Sequence, residues 1–108
     1  MIIDAIACDD LPINSSTVIE TDWVSILLAN ADGTFYAIEN KCTHQDAPLA
    51  QGRIRRGFIS CPLHGVLFDL KTGEPRGQLT RKPVNTFPVH TDAGRVKIDI
   101  SSASNQDE

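Results

Sequence analysis

Two cysteines and two histidines lie close together near the middle of the chain. They form two mixed pairs, Cys42-x-His44 and Cys61-x-x-His64, with sixteen residues between the pairs. Thiolate sulfur and imidazole nitrogen are ligands for soft and borderline transition metals. Four such side chains at short spacing in one small domain therefore indicate a metal site.

The composition of each pair bears on which metal is bound. Structural zinc accepts two cysteines and two histidines, but familiar zinc motifs pair cysteine with cysteine and histidine with histidine. Here each local pair is mixed, so both cysteines could hold one metal while both histidines hold a second. That arrangement is the [2Fe–2S] centre in which two histidines replace two cysteines on one iron. Zinc is the alternative at this point.

A small all-β scaffold is predicted to position these side chains. The run 16–30 is rich in β-formers and ends before Asp32-Gly33, a strong hairpin signal. Further turns are predicted within 71–75 and 92–94, and apolar residues alternate with charged ones over 95–100. Six or more short strands at close spacing predict an antiparallel sandwich or barrel. Both mixed pairs then fall in loops, roughly 41–49 and 61–66.

The bulk properties fit one domain. A chain of 108 residues suits a single core, and we expect a domain over 1–101, a small subdomain over about 41–83 and a polar tail over 102–108. The net charge of −4 argues against nucleic acid as a partner. We expect no membrane contact, since no segment approaches the roughly 20 apolar residues needed to span a bilayer. The start of the chain is not typical of a secretory signal, so a cytoplasmic protein is expected.

The third cysteine is predicted to have a structural role. An odd number of cysteines in a reducing compartment argues against a disulfide framework. Cys8 lies far from the mixed pairs, in an acidic region predicted as strand. We therefore interpret it as a small buried apolar residue. The third histidine, His90, is interpreted as a surface or sheet residue.

The two pairs resemble a known motif when their neighbours are included. Cys42-Thr43-His44 and Cys61-Pro62-Leu63-His64-Gly65 resemble the C-x-H and C-P-x-H-G signature of Rieske iron–sulfur proteins. The resemblance covers about residues 10–100. It implies the Rieske antiparallel β-fold, with a cluster-binding subdomain of two ligand loops and one [2Fe–2S] cluster. By the resemblance, Cys42 and Cys61 bind the inner iron, and His44 and His64 bind the outer iron.

The positions around the ligands distinguish branches of that family. Respiratory Rieske proteins resemble CTHxGC and CPCHG, with a disulfide across the cluster, whereas this chain has Ala47 and Leu63 at those positions. High-potential forms also place serine and tyrosine after the second histidine, where their hydroxyls donate to sulfur. Val66 and Phe68 stand there instead and cannot donate. The resemblance therefore predicts a reduction potential toward the low end of the roughly −150 to +300 mV Rieske range.

The whole chain resembles the small Rieske ferredoxins of bacterial aromatic-ring-hydroxylating dioxygenase systems. The resemblance implies a one-electron carrier without catalytic residues. A flavin-dependent ferredoxin reductase would supply its electrons from NAD(P)H. The acceptor would be a terminal Rieske non-haem iron oxygenase, and a monomer suits such a shuttle. Two alternatives stay open: a small Rieske subunit of an NAD(P)H-dependent nitrite reductase, and a zinc-stabilised interaction domain.

Roles are also predicted for a run of arginines, one glycine and a third loop. The basic run Arg53, Arg55 and Arg56 is read either as a solvated strand face or as a docking surface for an acidic partner. Gly65 is predicted to let the backbone approach the cluster, where a Cβ would intrude. The stretch 73–83 resembles the third loop of the family, which covers the cluster from the other side.

Overall fold

The chain forms short strands connected by turns and loops. The structure, a computed structural model, describes residues 2–22, 24–43, 48–62, 65–77 and 80–100. The strands in these ranges are β1 (Ile2–Ala7), β2 (Ser15–Glu20), β3 (Ser25–Ala31), β4 (Thr34–Glu39), β5 (Ile54–Arg55), β6 (Phe58–Ser60), β7 (Leu67–Asp69), β8 (Pro75–Arg76), β9 (Thr86–Phe87), β10 (Val89–Asp92) and β11 (Arg95–Asp99). All strand pairs are antiparallel. The predicted all-β antiparallel class is confirmed.

Three sheets share two cores. The sheet orders are β1-β11-β10, β2-β3-β4-β9 and β5-β6-β7-β8. Successive side chains of a strand point to opposite faces, and β3 uses both faces. Its Leu28 joins a buried cluster with Val96 of β11, whereas the adjacent Leu27 joins a second cluster with Phe68 of β7. The β2-β3-β4-β9 sheet is therefore covered on both sides. The group of core residues that includes Leu27 and Phe68 also includes Cys42 and Cys61.

Two predicted hairpins are confirmed, and the structure adds a hairpin with the same turn that was not predicted. Asp32-Gly33 joins β3 to β4 with φ values of 55° and 98°, and Ala93-Gly94 joins β10 to β11 with 53° and 75°. Positive φ at both central residues matches the right-handed twist of paired strands. Arg56-Gly57 makes the same turn between β5 and β6, with φ values of 54° and 82°. Arg-Gly is a weaker turn signal than Asp-Gly.

The β-rich run 16–30 contains two strands, a division that was not predicted. The run is a hairpin in which β2 pairs with β3. At its turn, the Thr21 hydroxyl donates to the Val24 carbonyl at 2.8 Å and accepts from the Val24 amide at 3.0 Å. A threonine side chain closes this turn in place of glycine or proline, so the sequence signal is weak. Trp23 lies outside the described residues.

Cys8 differs in part from its prediction. It begins a 3-10 turn, Cys8–Asp10, directly after β1 and is partly buried, not a buried strand residue. Its amide donates to the Gly94 carbonyl at 2.9 Å, and its side chain packs against the cluster that contains Val96. All three cysteines lie in the described ranges, and none is in a disulfide. Among the described residues, no helix has the length and apolar character of a membrane span.

Candidate metal centre

The first mixed pair lies on the loop between β4 and β5. Cys42 follows β4 by three residues and is fully buried. The Asn40 amide donates to the Ser25 carbonyl at 2.8 Å, which continues the β3–β4 pairing. The Asn40 side-chain oxygen accepts from the amides of Leu49 and Ala50 at 2.8 and 2.9 Å. One side chain therefore joins the two ends of the loop that contains Cys42.

The second mixed pair lies on the tight connection between β6 and β7. Ser60 and Leu67 form the last strand pair, so residues 61–66 are the hairpin loop. The Cys61 amide donates to the Val66 carbonyl at 2.8 Å, and the Gly65 amide donates to the Cys61 carbonyl at 2.9 Å. These two bonds hold the Cys61 backbone in place, and its side chain is only 2% exposed.

The backbone conformation gives a reason for glycine at position 65 in addition to the predicted approach to the cluster, which stays a prediction. A Cβ built on Gly65 meets no atom of the chain within 4 Å. Its φ of +73°, however, is a conformation that favours glycine. Steric approach by the chain itself therefore does not explain this glycine; the left-handed backbone of the hairpin loop does.

Cys42 and Cys61 belong to one buried cluster, which also contains Leu49, Ile59 and Phe68. The structure thus brings together the two sulfur ligands that the sequence predicted. His44 and His64, the two predicted nitrogen ligands, lie outside the described residues, on the same two loops. In the part of the chain that is described, no three His, Cys, Asp or Glu side chains group together. Two buried thiols at loop positions, without a disulfide between them, fit a soft metal such as iron in a sulfide cluster.

A third loop packs against the first. The Thr43 hydroxyl donates to the Lys82 carbonyl at 2.6 Å and lies 3.1 Å from the Thr80 hydroxyl. The Lys82 amide donates to the Thr80 hydroxyl at 3.2 Å. With Thr80 donating to Thr43, these contacts form a closed ring of three hydrogen bonds. The predicted third loop, 73–83, therefore contacts the residue directly after Cys42.

Gly52 lies in the segment between the first mixed pair and β5. This segment packs against β6, the strand that precedes the second mixed pair. Its amide donates to the Leu49 carbonyl at 2.9 Å, and the Ser60 amide donates to the Arg53 carbonyl at 3.0 Å. A Cβ on Gly52 would overlap the carbonyl oxygen of Ser60 and lie 2.9 Å from that of Leu49. Both obstacles are backbone atoms, so they cannot move aside without shifting the residue next to Cys61.

We expect Gly52→Ala to lower the free energy of unfolding by about 1–3 kcal/mol, as overpacking does, and to lower the amount of cluster per chain. We expect less cluster per chain because a shift of the backbone at Gly52 and Ser60 would move the loop of Cys61 relative to the loop of Cys42. Gly33→Ala is the matched control, since Gly33 lies at the opposite end of β4 with open space around it. The control should lose stability through backbone strain and keep its cluster. Denaturant unfolding and iron and sulfide analysis measure the two effects; equal iron content in both variants would contradict the coupling.

The fold and the paired ligand loops define a class of protein. The model of the Rieske [2Fe-2S] domain matches residues 2–88, and the chain belongs to this family. Membership assigns one Rieske-type [2Fe–2S] cluster as cofactor. The 3-phenylpropionate/cinnamic acid dioxygenase ferredoxin subunit of Escherichia coli K12 is 37% identical over 95 residues, which cover 87% of this chain and 89% of that subunit.

Solved structures agree with the sequence comparison. The ferredoxin of carbazole 1,9a-dioxygenase from Nocardioides aromaticivorans IC177 superposes with a TM-score of 0.85 at 27% identity, covering 91% of this chain and 96% of that one. A complex of reduced oxygenase and oxidised ferredoxin in carbazole 1,9a-dioxygenase contains a chain that matches with a TM-score of 0.85 at 26% identity. That match covers 90% of this chain and 91% of the other.

Proposed function

We propose that this protein is a one-electron carrier that delivers electrons to the terminal oxygenase of an aromatic-ring-hydroxylating dioxygenase. Its 37% identity to a dioxygenase ferredoxin subunit across 87% of the chain carries this proposal. The ferredoxin–oxygenase complex among the similar structures supports the oxygenase as acceptor. A flavin-dependent reductase that uses NAD(P)H is the proposed donor. The carrier works as a monomer in the cytoplasm and has no catalytic residues of its own.

Four residues hold the cluster in this proposal. Cys42 and Cys61 bind one iron through sulfur, and His44 and His64 bind the other through nitrogen. The bound cluster accepts and releases one electron at a time. The chain fixes its ligands through the Asn40 closure of one loop and the hydrogen-bonded hairpin that holds Cys61. Residues of about 41–83 form the cluster-binding subdomain of a single domain over 1–101, with 102–108 as its tail.

A reconstituted electron-transfer chain tests this function. The purified protein is mixed with a dioxygenase ferredoxin reductase, NADH, the matching terminal oxygenase and an aromatic substrate. We expect dihydroxylated product only when all components are present. Tight co-purification with a sirohaem protein, together with no support of dihydroxylation, would instead assign the chain to a nitrite reductase. A colourless protein with stoichiometric zinc would reject both electron-transfer functions.

The side chain at Val66 offers a test of the low reduction potential. It is buried in the same cluster of residues as Cys42 and Cys61 and cannot donate a hydrogen bond. Val66→Ser should raise the potential by roughly 20–60 mV, because a hydrogen bond is worth about 0.5–1.5 kcal/mol and a tenfold change corresponds to 59 mV for one electron. Val66→Ala removes the same methyl groups without adding a donor and serves as control. Equal potentials for the two variants by redox titration would contradict the donor argument.

A further inference from the structure

The outer surface of the β5-β6-β7-β8 sheet is basic. Ile54, Ile59 and Phe68 turn toward the buried cluster, and the side chains between them face outward. We call the outward surface the basic face; it consists of Arg53, Arg55, Arg56, Phe58, Ser60, Leu67, Arg76 and one acidic residue, Asp69. Four of the ten Lys and Arg residues of an acidic protein are concentrated there. The sequence run that suggested either a solvated strand or a docking surface therefore extends to a fourth arginine.

The arginines of the basic face have no acidic partners among the described residues. By contrast, Arg95 and Lys97 on β11 both contact Asp4, at 3.0 and 3.7 Å. Arg76 lies 4.8 Å from the centre of the Phe58 ring, a cation–π contact. Concentrated positive charge without acidic partners in the described ranges favours an external anion.

The centre of the basic face is apolar. Leu67 is 41% exposed, one of few large apolar residues that are so exposed among the described residues, and Phe58 lies partly buried beside it. Arg53, Arg55 and Arg56 border these two side chains in an open groove of about 410 Å³. An apolar centre with a charged rim is the arrangement of protein–protein interfaces, whereas phosphate-backbone binding needs only the charge.

The basic face adjoins the loop that contains Cys61 and His64. Ser60 directly precedes Cys61, and Leu67 directly follows Val66, so both ends of this hairpin loop start from the basic face. A protein that covers the loop to exchange an electron must extend over neighbouring surface. The basic face lies on the strands that lead into and out of the loop.

We propose that the basic face binds an acidic surface of a protein that exchanges electrons with the cluster. This inference rests on the proposed function, since it takes its partner from the same electron-transfer chain. Complementary charge speeds the encounter and orients it, while Leu67 and Phe58 contribute buried apolar contact.

The test measures the second-order rate constants of electron transfer from the reductase and to the oxygenase by stopped-flow absorption. Arg53→Glu/Arg55→Glu should slow at least one of the two steps about tenfold at low ionic strength, and the difference should fade near 1 M salt, where the Debye length is about 3 Å. Arg95→Glu/Lys97→Glu is the matched control, with the same change in net charge on another sheet. Its rates should stay within about twofold of wild type. Arg53→Gln/Arg55→Gln provides a milder variant should the glutamates prevent folding.

Each outcome leads to a separate conclusion. Wild-type protein that exchanges electrons with neither partner overturns the proposed function itself. Wild-type activity with unchanged rates in the Arg53/Arg55 variants overturns the basic face as a docking site. Equal slowing by the control pair also overturns it, because net charge alone would then explain the effect. Salt-sensitive binding to duplex DNA, combined with unchanged partner rates, would assign the basic face to nucleic acid and reject the proposal.

Discussion

Alanine in place of Cys42 or Cys61 is expected to leave the purified protein without its iron–sulfur cluster. Both side chains are buried in one group of core residues, at 0% and 2% exposure, and each belongs to one of the two loops with the proposed ligands. No third cysteine can take over, because Cys8 packs with the other core, on the opposite face of the β2-β3-β4-β9 sheet. Iron, acid-labile sulfide and visible absorption should all fall to background.

Cys8→Ala is the matched control for this prediction. It also removes one sulfur, from a partly buried position that packs with the other core. We expect this variant to keep the wild-type content of iron and sulfide. A wild-type spectrum for Cys42→Ala or Cys61→Ala, or loss of cluster in Cys8→Ala alone, would show that the ligands have been assigned wrongly.

His64→Cys is expected to lower the reduction potential by on the order of 100 mV or more. A thiolate brings a negative charge that a neutral imidazole lacks, so adding an electron to the site becomes less favourable. The size of the expected change follows from the reduction potentials of the two kinds of cluster. Rieske clusters lie at roughly −150 to +300 mV, and all-cysteine clusters lie at about −400 mV. Redox titration followed by optical or EPR spectra measures the change.

The remaining histidine supplies the control for the charge argument. His90 is exposed on β10, in a different sheet from the ligand loops. His90→Cys introduces the same side chain and should leave the potential at the wild-type value. His44→Cys should shift the potential in the same direction as His64→Cys. A cluster-containing His64→Cys protein with an unchanged or higher potential would refute the argument.

Much of the fold could be predicted from local signals. Asp32-Gly33 and the turn at 92–94 indicated their hairpins because both need residues that accept positive φ. The alternation at Val96 and Ile98 indicated a half-buried strand, and both residues are fully buried. Alternation did not reveal the limits of β3, since that strand is covered on both faces and is buried from Ile26 to Ala31.

The supports of the metal centre were harder to predict because they depend on residues distant in sequence. No local motif marks Asn40, yet its side chain closes the loop across nine and ten residues. Thr43 contacts Lys82 across 39 residues. Gly52 is needed because the Ser60 carbonyl lies against it. No hydrophobic periodicity and no local motif in the sequence predicts these contacts, because each one forms only when the strands have paired.

Mixed coordination by sulfur and nitrogen is the central claim, and pulsed EPR of the dithionite-reduced protein tests it most directly. The protein is prepared with ¹⁵N-labelled histidine, so that coordinated imidazole nitrogens can be recognised by their hyperfine coupling to the cluster spin. We predict two coupled histidine nitrogens in the wild type and in His90→Cys, and one in His64→Cys. A reduced cluster without histidine coupling, or a protein without any cluster signal, would contradict the account.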